Sequence, residues 1–216
     1  MLKTLVKANA ITNLTDARYF AAWEVKWLGF CLDPSSPHFI NPAQLLAFRE
    51  WVGGVELVGE FGNQDLDFIL KTTTDLQLDA IQISRPLPPD WAPELGDIPI
   101  IEELALSPGL SADALRTRLS GYEPVISHFL LDFTRHGLSW SSIREEGAPL
   151  PMGELRSLCN EFPILLAFDW SPENLDEILF HLGPVGICVR GGAEEKTGVK
   201  SFEELDQLFE LLQVEE

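Results

Sequence analysis

Short apolar runs alternate with amphipathic segments along the whole chain. Eight of these runs have the length of β-strands, and several are apolar at every position rather than at alternate positions. Continuous apolar strands are typical of parallel sheets that are buried on both faces. The predicted strands cover residues 5–10, 27–32, 55–61, 78–83, 98–102, 129–133, 164–168 and 185–189.

Helix start signals fall between the predicted strands. Residues that favour the N-terminus of a helix precede segments with apolar positions at helical spacing. They are Asn13, Pro42, Asp65, Ser171 with Pro172, and Ser201 with Glu204, the last pair forming a capping box. Four prolines between positions 86 and 93 predict a short or absent helix there. Glycines and prolines predict a long loop over 134–151.

This alternation favours one closed (β/α)8 TIM barrel over residues 1–216, with the helices outside the strands. Eight strand–helix units in 216 residues average 27 residues each, which is lean beside the roughly 250 residues of a typical barrel. The alternative is an open doubly wound sheet, which usually carries a glycine-rich turn after its first strand. The segment 9–13 has no glycine, so the closed barrel is the preferred prediction.

Composition narrows the classes of partner. The chain has 15 Lys and Arg against 34 Asp and Glu, a formal charge of −19, which argues against nucleic-acid binding and against a basic membrane anchor. No apolar run approaches the roughly 18 residues of a membrane span, and the N-terminus lacks a signal-peptide pattern. Three widely spaced cysteines give neither a disulfide framework nor a metal motif. We expect a cytoplasmic protein without a metal or other cofactor.

Function in a barrel resides at the C-terminal ends of the strands. Asp132 is a lone acid in an apolar strand, which suits either acid catalysis or a structural hydrogen bond. The sequence Arg190-Gly191-Gly192 suits either a backbone cradle for an anion or an ordinary turn. The residues expected to point into the mouth of the barrel are Asn9, Gln82, Asp132 and Arg190.

Several segments, in the same order and at similar spacing, resemble one enzyme family. They include Leu28-Gly29-Phe30, Ile81-Gln82-Ile83, Phe129-Leu130-Leu131-Asp132, Pro172-Glu173-Asn174, Gly191-Gly192 and Gly198-Val199-Lys200. These segments are similar to phosphoribosylanthranilate isomerase, an eight-stranded barrel of tryptophan biosynthesis. The resemblance implies an Amadori rearrangement of an N-ribosyl amine to a ketose amine. A cysteine after strand one is the family's general base and an aspartate ending strand six its general acid.

The family's functional positions are largely replaced in this sequence. By the resemblance Asp132 is the general acid, whereas Asn9 stands in place of the base cysteine. His38 replaces the arginine that holds the anthranilate carboxylate, and Phe168-Asp169 replaces a Gly-Gly pair of the phosphate site. The predicted ligand-binding residues are Gln82, Arg190, Gly191, Gly192, Asp169 and His38.

Three functions remain open. The preferred one is a diverged barrel, monomeric or homodimeric, that binds a small molecule such as a sugar phosphate and has lost the family reaction. The second is a working isomerase, whose candidate bases are Asp33, Glu60 and Glu102 and whose candidate anion-binding arginines are Arg85 and Arg190. The third is a structural or interaction protein that uses the loop 135–147 as a partner surface. A cation or amine would be favoured over a phosphate if four acids converge on the mouth, namely Glu60, Glu102, Asp132 and Asp169.

Overall fold

The computed structural model describes residues 1–122, 124–191, 194–196, 199–200 and 202–214. Within these residues eight parallel strands pair in chain order, and the first also pairs with the eighth, so that the sheet closes into a barrel. The strands are β1 (Leu5–Asn9), β2 (Trp27–Cys31), β3 (Glu56–Phe61), β4 (Ala80–Ile83), β5 (Ile100–Ala105), β6 (His128–Asp132), β7 (Ile164–Ala167) and β8 (Gly186–Arg190). The predicted (β/α)8 TIM barrel is confirmed.

Helices connect successive strands. They are α1 (Leu14–Ala22), α2 (Pro42–Arg49), α3 (Leu66–Leu76), α4 (Ala92–Leu95), α5 (Ala112–Tyr122), α6 (Trp140–Arg144), α7 (Met152–Glu161), α8 (Pro172–Leu182) and α9 (Glu203–Leu212). A short antiparallel pair, β9 (Glu194–Lys196) and β10 (Val199–Lys200), lies between β8 and α9. Buried helix residues and the outward residues of the strands form one large apolar cluster, which is the main core.

Most of the predicted helix starts are confirmed. The side chains of Asn13 and Asp65 accept backbone N–H bonds at the starts of α1 and α3, and Pro42 opens α2. Ser171 forms a capping box for α8. Ser201 lies outside the described residues, and α9 begins at Glu203. As the prolines predict, α4 has only four residues. The stretch 134–151 is not wholly a loop, because it contains α6.

The inside of the barrel changes from apolar to polar toward the C-terminal ends of the strands. A small apolar cluster fills its lower part, made by Trp27, Val58, Ala80, Ile101, Leu130, Leu165, Ala167 and Cys188. Alternate residues of a strand point to the same face, so the inward residue two positions after Val58 is Glu60. By the same rule Gln82 follows Ala80, Glu103 follows Ile101 and Asp132 follows Leu130. Each of these four polar side chains is buried.

Gly29 in β2 provides the room for one buried ion pair. A Cβ atom at this position would overlap the carboxylate of Glu60 and the ammonium of Lys7. The Lys7 Nζ and Glu60 Oε1 atoms are 2.8 Å apart, and the Lys7 side chain is fully buried. The missing side chain of Gly29 therefore lets a lysine from β1 reach a glutamate on β3 across the inside of the barrel.

The two ends of the chain lie side by side. Leu2 forms an antiparallel bridge with Gln213. The backbone N–H of Lys3 donates to the carbonyl of Leu212 at 2.7 Å, and the N–H of Val214 donates to the carbonyl of Met1 at 3.1 Å. These hydrogen bonds fasten the start of the chain to the residues that follow α9.

Candidate functional site

Two cavities open at the C-terminal mouth of the barrel. The first cavity, of about 300 Å³, is lined by residues that end β1 to β5 and by the loops that follow them. The second cavity, of about 640 Å³, is lined by residues around the ends of β6 to β8 and the start of α9. Asn9 and Arg190 line both cavities, Gln82 lines the first and Asp132 the second. All four residues expected at the mouth are found there.

Asn9 forms part of a buried polar cluster rather than standing alone. Its Oδ1 accepts a hydrogen bond from Lys7 Nζ, which also donates to Glu60 Oε1. Both carboxylate oxygens of Glu60 accept from the backbone N–H of Ala10 at 3.2 Å. Lys7 is two residues before Asn9 on the same face of β1, so the strand itself places the ammonium beneath the amide. The amide oxygen of Asn9 is thus already engaged by a cation.

Glu103 organises the opposite wall of the first cavity. Its Oε1 accepts from Arg135 at 2.6 Å, and its Oε2 accepts from Gln82 Nε2 at 2.9 Å and from the hydroxyl of Ser84. An ionised carboxylate only accepts hydrogen bonds, so these three donors all point at Glu103. The ion pair with Arg135 compensates the charge of a glutamate that is 6% exposed.

Asp132 lies inside the mouth and not on the helix-facing side. Its Oδ1 accepts from the backbone N–H and the hydroxyl of Thr134 at 2.8 and 2.7 Å. Its Oδ2 faces the guanidinium groups of Arg135 at 3.7 Å and Arg190 at 3.9 Å. One carboxylate oxygen thus fixes the loop after β6, and the other faces the guanidinium groups of Arg135, which lines the first cavity, and Arg190, which lines both. The geometry leaves both a structural role and an acid role available to this side chain.

The lining of the second cavity includes four acids and two aromatic rings. The residues at the end of β7 are Phe168, Asp169 and Trp170, and all three line it. Phe168 stacks on Phe133 with ring centroids 4.1 Å apart, and the Trp170 indole donates to the carbonyl of Cys188 at 2.8 Å. The carboxylates of this lining belong to Asp132, Asp169, Glu203 and Glu204, whereas Arg190 is the one cation among the described lining residues.

Two ionisable groups of the first cavity have shifted pKa values. Hydrogen bonds from Ser35 lower the pKa of Asp33, which keeps this carboxylate ionised. Burial raises the pKa of the Cys31 thiol, so the thiol is mostly protonated at neutral pH. His38 also lines the first cavity. Its place in the cavity agrees with its expected contact to a ligand, although an imidazole cannot reproduce the bidentate grip of an arginine.

Three expectations about the site are wrong. Glu102 is excluded from the mouth because it is fully buried on the helix side of β5, where Arg118 donates to it at 2.8 Å. Arg85 lines neither cavity; it donates to the carbonyl of Gln64 and stacks on Trp91. The apolar residues of the loop 135–147 do not form a partner surface, because Trp140 and Ile143 are buried in the core.

Of the remaining predicted ligand residues, Asp169 and Gly191 line the second cavity. Gly192 lies outside the described residues. Lys7, Glu103 and Arg135 belong to the site but were not predicted as site residues. The position of Lys7 two residues before Asn9 was a usable signal, since both share one face of a strand.

The described ranges contain neither a membrane-spanning helix nor a cluster of metal-ligating side chains. No helix there is long and apolar enough to cross a membrane. No group of three or more His, Cys, Asp or Glu side chains in that part of the chain could hold a metal ion.

The chain is similar to isomerases over nearly its whole length. The family model described as N-(5'phosphoribosyl)anthranilate (PRA) isomerase matches residues 6–211. The N-(5'-phosphoribosyl)anthranilate isomerase of Trichormus variabilis is 28% identical over 209 residues, which cover 96% of this chain and 97% of the relative. The structure of the Thermus thermophilus enzyme is 30% identical, has a TM-score of 0.71 and covers 95% of this chain and 96% of its own.

A second solved isomerase has the same fold. It is 22% identical, has a TM-score of 0.74 and covers 96% of this chain and 97% of its own. That structure is a complex with reduced 1-(o-carboxyphenylamino)-1-deoxyribulose 5-phosphate. The family match extends from the first barrel strand into the last helix, and it coincides with the closed barrel and the C-terminal mouth described above. The chain therefore belongs to the N-(5'-phosphoribosyl)anthranilate isomerase family.

Proposed function

We propose that this protein binds a small organic molecule in the mouth of its barrel and does not isomerise phosphoribosylanthranilate. The observation that carries the proposal is the hydrogen bond that Asn9 accepts from Lys7, since by the family resemblance Asn9 stands at the position of the base cysteine. A neutral amide cannot remove the C2 proton of the sugar. Loss of a general base typically lowers the rate by about 10²–10⁴-fold, or about 3–5 kcal/mol in barrier height.

The charge of the second cavity supports the same conclusion. A phosphate bound near Arg190 would meet the carboxylates of Asp132 and Asp169 and those at the start of α9. Carboxylates at a helix N-terminus also occupy the position at which a helix dipole would otherwise attract an anion. A solved relative binds a sugar phosphate, so such a compound is the first ligand to test. The acidic lining favours a ligand without a dianionic group.

The open mouth argues against a purely structural role. Two cavities reach the solvent at the end of the barrel where ligands of this fold bind. The cysteines Cys31, Cys159 and Cys188 are free thiols, and we place the protein in the cytoplasm, where thiols stay reduced.

A working isomerase is the second candidate, and one observation favours it. Glu60 lines the first cavity beside Asn9, and its carboxylate contacts the backbone N–H of Ala10. With Asp132 at the other end of the mouth, the pair would offer a carboxylate base and a carboxylic acid. Asp33 is the alternative base on the same cavity.

The test is turnover of phosphoribosylanthranilate by the purified protein, together with growth of a tryptophan auxotroph that expresses it. We expect no turnover above the uncatalysed rate and no growth. Robust turnover would overturn the proposal. In that case Glu60→Gln and Asp33→Asn identify the base, and Glu102→Gln is the matched control because its carboxylate faces the helices.

A further inference from the structure

Gln82 presents one hydrogen-bond acceptor that the described protein does not use. Its Nε2 donates to Glu103 Oε2 at 2.9 Å. Because a carboxylate only accepts hydrogen bonds, this contact fixes which end of the amide faces Glu103. The amide oxygen must then point away from Glu103. Gln82 is 1% exposed, and no described residue donates to its Oε1.

A buried acceptor without a hydrogen-bond donor destabilises the folded protein, and most buried polar groups therefore have a partner. A buried polar atom without a hydrogen bond costs about 1–3 kcal/mol. The amide cannot flip to relieve this cost without placing its oxygen against the Glu103 carboxylate. Gln82 lines the first cavity, and its Oε1 lies just beneath the cavity surface, so a ligand that seats against this wall with a local shift of the side chains would supply the missing donor.

Asp33 is a second group in the first cavity that lacks a complementary partner. Three other carboxylates at the mouth each have a cation within 4 Å: Glu60 has Lys7, Glu103 has Arg135, and Asp132 has Arg135 and Arg190. Asp33 has no such cation among the described residues, and its hydrogen bonds come from the uncharged Ser35. The first cavity therefore contains one carboxylate that is not paired with a described cation within 4 Å.

A ligand that carries both a positive charge and N–H donors would pair with the Asp33 carboxylate and donate to Gln82 Oε1. We propose that the first cavity binds a small organic amine in its protonated form, with Asp33 balancing its charge and Gln82 Oε1 accepting one of its N–H groups. This inference rests on the proposed ligand-binding function and names the class of ligand. Glu60 is the register partner of Gln82 on the neighbouring strand, and it adds a further acceptor to the same wall.

The proposed preference for a cationic ligand is opposite to the preference for a carboxylate that the family resemblance implies at this end of the site. There an arginine holds the carboxylate of the anthranilate group, whereas here His38 stands in its place and Asp33 lines the same cavity. A carboxylate would approach Asp33 with like charge, whereas Glu60 is already paired with Lys7. Of the two arginines that line this cavity, Arg135 is already engaged by Glu103 at 2.6 Å and Arg190 faces Asp132 at 3.9 Å.

Two probes that differ in one group test the charge preference. Anthranilate and 2-aminobenzylamine share a benzene ring and an ortho amino group, but one bears a carboxylate and the other a protonated aminomethyl group. Calorimetric titration of the full-length protein is expected to show that 2-aminobenzylamine binds at least about tenfold more tightly, as expected for a hydrogen bond that involves a charged partner. Tighter binding of anthranilate, or no binding of the amine at millimolar concentration, would overturn the inference.

Three variants connect the preference to its residues. Gln82→Met keeps the size of the side chain but removes the acceptor, together with the Nε2 donor to Glu103, and Asp33→Asn removes the charge; each is expected to weaken amine binding about tenfold. Thr73→Val is the matched control, because it also removes a buried oxygen without a partner and lines neither cavity. It should leave the affinity within about twofold.

Asp33→Asn keeps the inference testable if Gln82→Met does not fold, since Asp33 lies in a half-buried loop position. Unchanged amine affinity in a folded Gln82→Met or Asp33→Asn variant would refute the assignment. A failure of this kind is separate from a failure of the proposed function, which the turnover assay on phosphoribosylanthranilate decides.

Discussion

Replacing Lys7 by methionine tests the buried polar cluster under the mouth. The Lys7 ammonium lies 2.8 Å from Glu60 Oε1, and the two side chains are 0% and 10% exposed. At an effective dielectric constant of about 20 their attraction is about 6 kcal/mol before desolvation. Removing one partner of a buried pair typically costs about 3–5 kcal/mol, because it leaves the other charge buried without compensation. We expect Lys7→Met to lower the free energy of unfolding by this amount.

A double-mutant cycle separates the pair from its surroundings. Glu60→Gln alone leaves a buried ammonium, whereas Lys7→Met combined with Glu60→Gln leaves no charge. The double variant should therefore lose at least about 2 kcal/mol less than the sum of the single variants. The measurement is urea unfolding followed by circular dichroism, with the denaturant slope compared across all four proteins.

Lys26 and Glu56 supply the matched control for this cycle. They also form a Lys–Glu pair between β3 and the start of β2, but their side chains are 43% and 41% exposed. Lys26→Met should cost less than about 1 kcal/mol, because exposed ion pairs contribute little. The reasoning would be refuted if Lys7→Met cost no more than Lys26→Met, or if the losses from Lys7→Met and Glu60→Gln were additive.

Three further predictions concern the site, the thiols and the acids. Asn9→Cys should not restore phosphoribosylanthranilate turnover, because the acidic second cavity still disfavours the phosphate; turnover in the purified variant would contradict this. Titration with a thiol reagent at neutral pH should slowly modify Cys31 alone. Burial raises the pKa values of Cys159 and Cys188 to about 12, so these two thiols should react only in denaturant. Fast labelling of all three thiols in the native protein would contradict this prediction. Burial raises the pKa of Glu102 above its ordinary 4.5. The wild type should therefore lose stability relative to Glu102→Gln as the pH rises from about 4.5 through the raised pKa. Urea midpoints across this pH range measure the difference in stability, and a pH-independent difference would count against the prediction.

The fold was accessible from the sequence because its strands are buried on both faces. Continuous apolar runs predict such strands directly, and residues such as Asn13 and Asp65 cap helices through local contacts. The fifth strand was predicted at 98–102 but spans Ile100–Ala105, because the adjacent acids Glu102 and Glu103 resemble the end of a strand. Both are in fact buried, and they face opposite sides of β5.

The site was less accessible because its contacts are distant along the chain. Lys7 pairs with Glu60, 53 residues away, and Arg135 pairs with Glu103, 32 residues away. Neither pairing has a local sequence pattern. The positions of Asn9, Gln82, Asp132 and Arg190 were predictable because each lies at the C-terminal end of a parallel strand. The hydrogen bonds that these side chains already form within the protein depend on partners that only the folded chain brings together.

The junction of the two chain ends bears on how the barrel is closed. Strand β1 pairs with β8 along its whole length, and a separate antiparallel bridge joins Leu2 to Gln213 after α9. The order of the strands around the barrel therefore does not depend on where the polypeptide begins. A circularly permuted chain, joined between its present ends and opened at the exposed Gly53-Gly54 turn, would retain every strand pair of the native barrel.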